Sequence, residues 1–88
     1  MYSINWAPAL DDLRSLDKNV RTRIITKVGT IVLDPFHFIE HLEGWPWFKL
    51  RIGDYRAVLE IKRNEQTITV VLVGHRSNVY QRLRREIQ

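Results

Sequence analysis

The sequence contains no cysteine, which excludes a disulfide framework and a thiolate zinc centre. Serine occurs only at Ser3, Ser15 and Ser77, and the four glycines form no phosphate-cradling loop. Nucleophilic serine chemistry and a P-loop site therefore have nothing to build on. The few carboxylates past Leu42 are not spaced as the acid and base of a two-carboxylate enzyme. No apolar run approaches the ~20 residues of a membrane-spanning helix. The opening MYSINWAPALDD lacks the basic and apolar regions of a secretory signal. The expectation is a cytoplasmic protein with no membrane association. Its 88 residues suit a single domain over 1–88, with one modest core.

What the sequence does have is unevenly placed positive charge. Residues 1–43 carry five Lys/Arg against six Asp/Glu, whereas residues 44–88 carry nine against four. A basic second half favours a polyanionic partner such as nucleic acid. One short motif points elsewhere. His37-Phe38-Ile39-Glu40-His41 matches the H-x-x-E-H pattern of some zinc peptidases. That chemistry needs a helix to put both histidines on one face, yet the stretch follows Asp34-Pro35. In an extended chain the two rings would stand ~13 Å apart, so no metal site is expected.

The hydrophobic spacing predicts an α+β fold. Tyr2–Trp6 alternates as a short strand, and Pro8 fits the first turn of a helix carrying Leu10, Leu13 and Leu16. Asp17 suits the cap of a longer helix with Val20, Ile24, Val28 and Ile31 on one face, ended by Asp34-Pro35. Three antiparallel strands in a meander follow. Phe48, Leu50, Ile52, Leu59, Ile61, Ile68, Val70 and Leu72 form the expected core face, covered by the helices. Lys49, Arg51, Arg56, Lys62 and His75 occupy the other face, expected to be open and basic. A terminal helix over 78–87 carries Val79, Leu83 and Ile87.

The stretch KLRIGDYR raises a specific question. Gly53-Asp54 reads as a type II′ hairpin turn, which sets Arg51 directly opposite Arg56. Facing like charges are destabilising, by roughly 0.2–1 kcal/mol. Hydrogen bonds to an ionised phosphate contribute about 1.5–3 kcal/mol each, and the arginine fork fits phosphate bidentately. The pair makes sense if an anion binds between the two side chains.

Leu42-Glu43-Gly44, LRIGDYRAVLEI at 50–61 and VVLVGHRSNVY at 70–80 resemble the RelE family of bacterial and archaeal toxins, within the RelE/ParE superfamily. The order of predicted elements resembles that family across nearly the whole chain. The resemblance implies a type II toxin that cleaves mRNA in the ribosomal A site, without a metal or other cofactor, and is inhibited by a RelB-like antitoxin. Operator DNA would be reached only through the antitoxin complex. Lys49, Arg56, Arg76 and Tyr80 fall on positions of the family's active site. Arg56 would stabilise the phosphorane charge, Arg76 would assist the leaving 5′-oxygen, and Tyr80 or Lys49 would help remove the 2′-hydroxyl proton. Alanine in place of Arg56 or Arg76 is expected to leave the fold intact. Arg51, Lys62, His75 and Trp47 are the expected RNA contacts, with Trp47 standing where some members carry a second basic residue. The competing readings are a ParE-like inhibitor of DNA gyrase and a non-catalytic RNA- or operator-binding module.

Overall fold

The alternation at the N-terminus forms β1 (Ser3–Asn5), and the computed structural model describes residues 1–86. A 3₁₀ turn over Ala7–Ala9, holding Pro8, leads into α1 (Leu10–Arg14). The longer helix is α2 (Lys18–Thr30). Asp17 stands at its N-cap, but its side chain makes no capping bond; its carbonyl accepts the Arg21 N–H instead, at 2.9 Å. The helix stops before the expected Asp34-Pro35. Gly29 followed by β-branched Thr30, Ile31 and Val32 is a weak helical sequence, and Thr30 Oγ1 donates to the Lys27 carbonyl at 2.6 Å.

Next come a 3₁₀ turn over Pro35–His37, a short β2 (Glu40–His41), β3 (Phe48–Ile52), β4 (Tyr55–Lys62) and β5 (Thr67–His75), then α3 (Val79–Glu86). The strands form one sheet in the order β1-β5-β4-β3-β2, with β1 parallel to β5 and every other pair antiparallel. The H-x-x-E-H stretch is a turn followed by a strand, so the helix required by the peptidase pattern does not form. The hairpin is as expected: Gly53 sits at φ +58, Ile52 pairs with Tyr55, and Arg51 faces Arg56. Ile87, the last apolar residue of the expected terminal helix, lies outside the described residues. No helix among the described residues is long and apolar enough to cross a membrane.

The main core lies between α1, α2 and one sheet face. Leu13, Ile24, Val28 and Ile31 pack on Leu50, Ile52, Leu59, Ile68 and Val70, as the α+β pattern requires. Two expected members differ. Phe48 is only half-buried and packs edge-on to Phe36 and His41. Leu72 points the other way. Val58 pairs with Leu72 but Leu59 pairs with Val70, so Val71 is an extra residue in β5. Such a bulge shifts the side-chain alternation by one, and Val73 takes the core position instead.

The sheet face expected to be open is therefore partly closed. Leu72 and Val58 are buried there with Leu42 under Val79 and Leu83 of α3, flanked by the stacked rings of Trp45 and Trp47. Two charged side chains seal the edge of β5 beyond the end of β1. Asp12 accepts the Val73 N–H at 3.0 Å, Arg82 donates to the Val73 carbonyl at 3.3 Å, and the two pair with each other at 2.8 Å. This links α1 to α3 across the strand. Asp12→Ala should lower stability by about 1.5–3 kcal/mol, read as a lower urea midpoint.

Candidate active site

Beside α3, on the same face as the second core, is a cavity of about 250 Å³ lined by Glu40, Lys49, Arg51, Arg56, Arg76 and Tyr80. Strand alternation explains most of it. Lys49 and Arg51 lie two apart on β3, opposite the phase of core residues Leu50 and Ile52. Arg56 joins them from β4 through the tight turn. Arg76 follows β5, and its backbone N–H donates to the Asp54 carbonyl at 2.8 Å, fixing the chain beside that turn. Tyr80 enters from the first turn of α3, one residue after the buried Val79. Lys49 Nζ lies 5.9 Å from the centre of its ring, within reach of a cation–π contact.

Four cations and one carboxylate thus share a small space. Their anchoring differs. Arg56 is only 9% exposed, and its Nη1 donates to the carbonyls of Gly53 at 2.9 Å and Tyr55 at 2.8 Å. These carbonyl dipoles hold the guanidinium opposite Arg51 despite the like charge. Arg76 is exposed, with Nε 3.8 Å from Asp54 Oδ1, a pair that solvent weakens to little net value. The side chain of Arg51 is exposed, and no ion pair with it is formed among the described residues.

Five of the eight residues singled out in the sequence meet here: Lys49, Arg51, Arg56, Arg76 and Tyr80. Three do not. Lys62 keeps the right face but sits at the far end of β4, roughly 20 Å along the strand from Arg56, within 3.8 Å of Glu65. Trp47 packs in the second core against Trp45. His75 is on the opposite face from that expected. It pairs with Tyr55, meets that ring edge-on at 5.4 Å, and bonds to Ser77 Oγ at 2.8 Å through Nδ1. The bulge at Val71 is the reason, since it reverses the phase of everything after it. Glu40 is the lining residue that the sequence reading assigned only to the peptidase pattern. It arrives by pairing of the two-residue β2 with Lys49 of β3, and so short a strand leaves no periodic signal.

The comparisons agree with this fold. Isolated Escherichia coli RelE toxin is 27% identical, with both chains covered in full and a TM-score of 0.73. The intact E. coli RelBE toxin–antitoxin complex aligns over 85% of this chain and 96% of that one, at 26% identity and a TM-score of 0.71. The RelBE2 toxin–antitoxin complex of Mycobacterium tuberculosis aligns over 86% and 92%, at 22% identity and a TM-score of 0.76. No curated protein sequence matches. The class is that of the RelE/ParE superfamily toxins. Within it, a family model for the ParE toxin of the type II toxin–antitoxin system, parDE, matches residues 6–80, and the chain belongs to that family.

Burial separates the two key arginines. The exposure of Arg76 is compatible with its removal leaving the fold intact, whereas the buried bonds of Arg56 conflict with that expectation. Arg56→Ala should cost about 1–3 kcal/mol, whereas Arg76→Ala should stay within about 0.5 kcal/mol of the parent. Urea denaturation of the two variants checks this.

Proposed function

We propose that this chain is the toxin of a type II pair that cleaves mRNA in the ribosomal A site, and that a RelB-like antitoxin holds it inactive. The supporting observation is the convergence of Lys49, Arg56, Arg76 and Tyr80 on one cavity, in a fold whose solved relatives include RelE toxins. The substrate's own 2′-oxygen attacks the adjacent phosphorus, and the bond to the 5′-oxygen breaks. The products are a cyclic phosphate, or its 3′-phosphate hydrolysis product, and a 5′-hydroxyl. Lys49 or Tyr80 helps remove the 2′-hydroxyl proton. Arg56 stabilises the charge that develops on the phosphorane, and Arg76 donates to the departing oxygen. Arg51 contacts a neighbouring phosphate. No metal or cofactor takes part. Such a reaction on ribosomes locates the protein in the cytoplasm, and the basic field makes docking fast and salt-sensitive.

The family model's ParE description favours one other reading, inhibition of DNA gyrase. The gyrase-directed branch lacks the nuclease set, so the presence of both Lys49 and Tyr80 in the cavity argues for RNA cleavage.

Primer extension on an mRNA, with and without translating ribosomes, tests the proposal. Cuts within A-site codons should appear only with ribosomes, and Arg76→Ala should reduce them by about 10²–10³. Uncut mRNA from folded, antitoxin-free protein would reject the nuclease, and unchanged cutting by Arg76→Ala would remove Arg76 from the site.

A further inference from the structure

A second cavity, of about 510 Å³, lies between α2 and the tip of the β3–β4 hairpin. Thr22, Thr26 and Thr30 recur every four residues along the α2 side, with Arg23 and Lys27 alongside them. Across from them are Ile52, Gly53 and Arg51, and Arg51 also lines the cavity beside α3. We infer that this groove binds the sugar–phosphate backbone of the RNA strand as it leaves the catalytic cavity. The inference rests on the proposed nuclease reading and adds to it the path of the substrate.

Charge is the first argument. The groove has three cations, and there is no carboxylate among its described lining residues. Arg23 and Lys27 are four apart on one helix face, where like charges repel each other. Neither forms an ion pair among the described residues; Lys27 Nζ rests instead 5.4 Å from the centre of the Phe38 ring. This repeats the arrangement of Arg51 and Arg56, with cations placed together and no acid between them.

The groups present are also those that bind a sugar–phosphate chain. Threonine hydroxyls with Arg and Lys are the usual contacts to phosphate and sugar oxygens. Among the described lining residues there is no Asn, Gln, Asp or Glu and no aromatic ring on which to stack a base. The cations and hydroxyls spaced along one helix face therefore suit a run of phosphate and sugar oxygens. Placement is the third argument. A Cβ added at Gly53 would stand 2.5 Å from Arg23 Nη2, so this guanidinium lies directly over the turn. On the other side of the same turn, Arg56 Nη1 bonds to the Gly53 carbonyl. Arg23 over the turn and Arg51, which lines both cavities, thus carry positive charge from one to the other.

The test uses the whole protein, freed of antitoxin, with two fluorescent single-stranded RNAs: a trinucleotide confined to the catalytic cavity and a decanucleotide that extends beyond it. Anisotropy titrations over a range of salt should show tighter and more salt-dependent binding of the longer RNA. Arg23→Ala/Lys27→Ala should leave the trinucleotide unaffected. For the decanucleotide it should flatten the slope of log K against log salt by about 1.4, corresponding to two phosphate contacts on a single strand. Thr22→Val/Thr26→Val should weaken the longer RNA without changing that slope, while Arg14→Ala, on α1, should change neither. Equal binding of both RNAs, or groove variants that bind the decanucleotide like the parent, would overturn the inference. So would a loss confined to co-sedimentation with ribosomes, which would assign the groove to ribosomal RNA. A-site cutting with no groove effect would leave the nuclease standing and remove only this path; a groove effect without cutting would reject the nuclease, and with it the exit path, and leave an RNA-binding groove alone.

Discussion

One extra residue in β5 decides how both faces of this sheet are used. Up to Val70 the strand alternates in phase with the main core; after Val71 the alternation is reversed. Leu72 then turns toward α3, Val73 into the main core, and His75 toward Tyr55. Because side chains on a strand repeat every two residues, a single insertion moves every later one to the opposite face. The change falls where it has the most consequence, beside the candidate active site, a common position for bulges. With Leu72 facing outward, α3 has an apolar seat for Val79 and Leu83. Without it, the seat would keep Val58 and Leu42 but lose its largest β5 side chain.

The seating of α3 joins stability to chemistry. Val79 and Leu83 are four apart and buried, and Tyr80 follows Val79 directly into the cavity. The orientation of the tyrosine is therefore set by the packing of its neighbour. On the other side of α3, Arg82 reaches over the edge of β5 to Asp12 of α1. That pair occupies backbone groups of Val73 that would otherwise present a free sheet edge, one way proteins avoid edge-to-edge association.

Electrostatics in the cavity follow a different logic from packing. Lys49, Arg51, Arg56 and Arg76 share the site with Tyr80 and, among the described lining residues, one carboxylate, Glu40. The most buried member, Arg56, is held by backbone carbonyls at the hairpin, which offset the repulsion from its neighbours. Of the others, Arg51 and Arg76 are exposed and Lys49 is half-buried beside the Tyr80 ring. A field of one sign concentrates polyanions near the site before any specific contact forms. The groove along α2 extends the same sign of charge beyond the turn.

Much of this was legible in the sequence because it rests on local periodicity. The alternation of Phe48–Ile52 and Tyr55–Ile61, the 3.6-residue stripe of α2 and the Gly53 turn are short-range signals. They suffice to place Arg51 opposite Arg56 and to put Lys49 on the same face. Family resemblance around Arg76 and Tyr80 adds these two lining residues. What sequence could not supply depends on registers between distant segments. The bulge is defined only by how β5 pairs with β4, so His75 and Leu72 were assigned to the wrong faces. Glu40 enters through a two-residue strand with no pattern of its own, and Trp47 is drawn into a second core that exists only once α3 docks. Local sequence settles the elements, the charge and the hairpin; the face that each later side chain uses follows from the assembled sheet, because pairing register is a property of two strands at once.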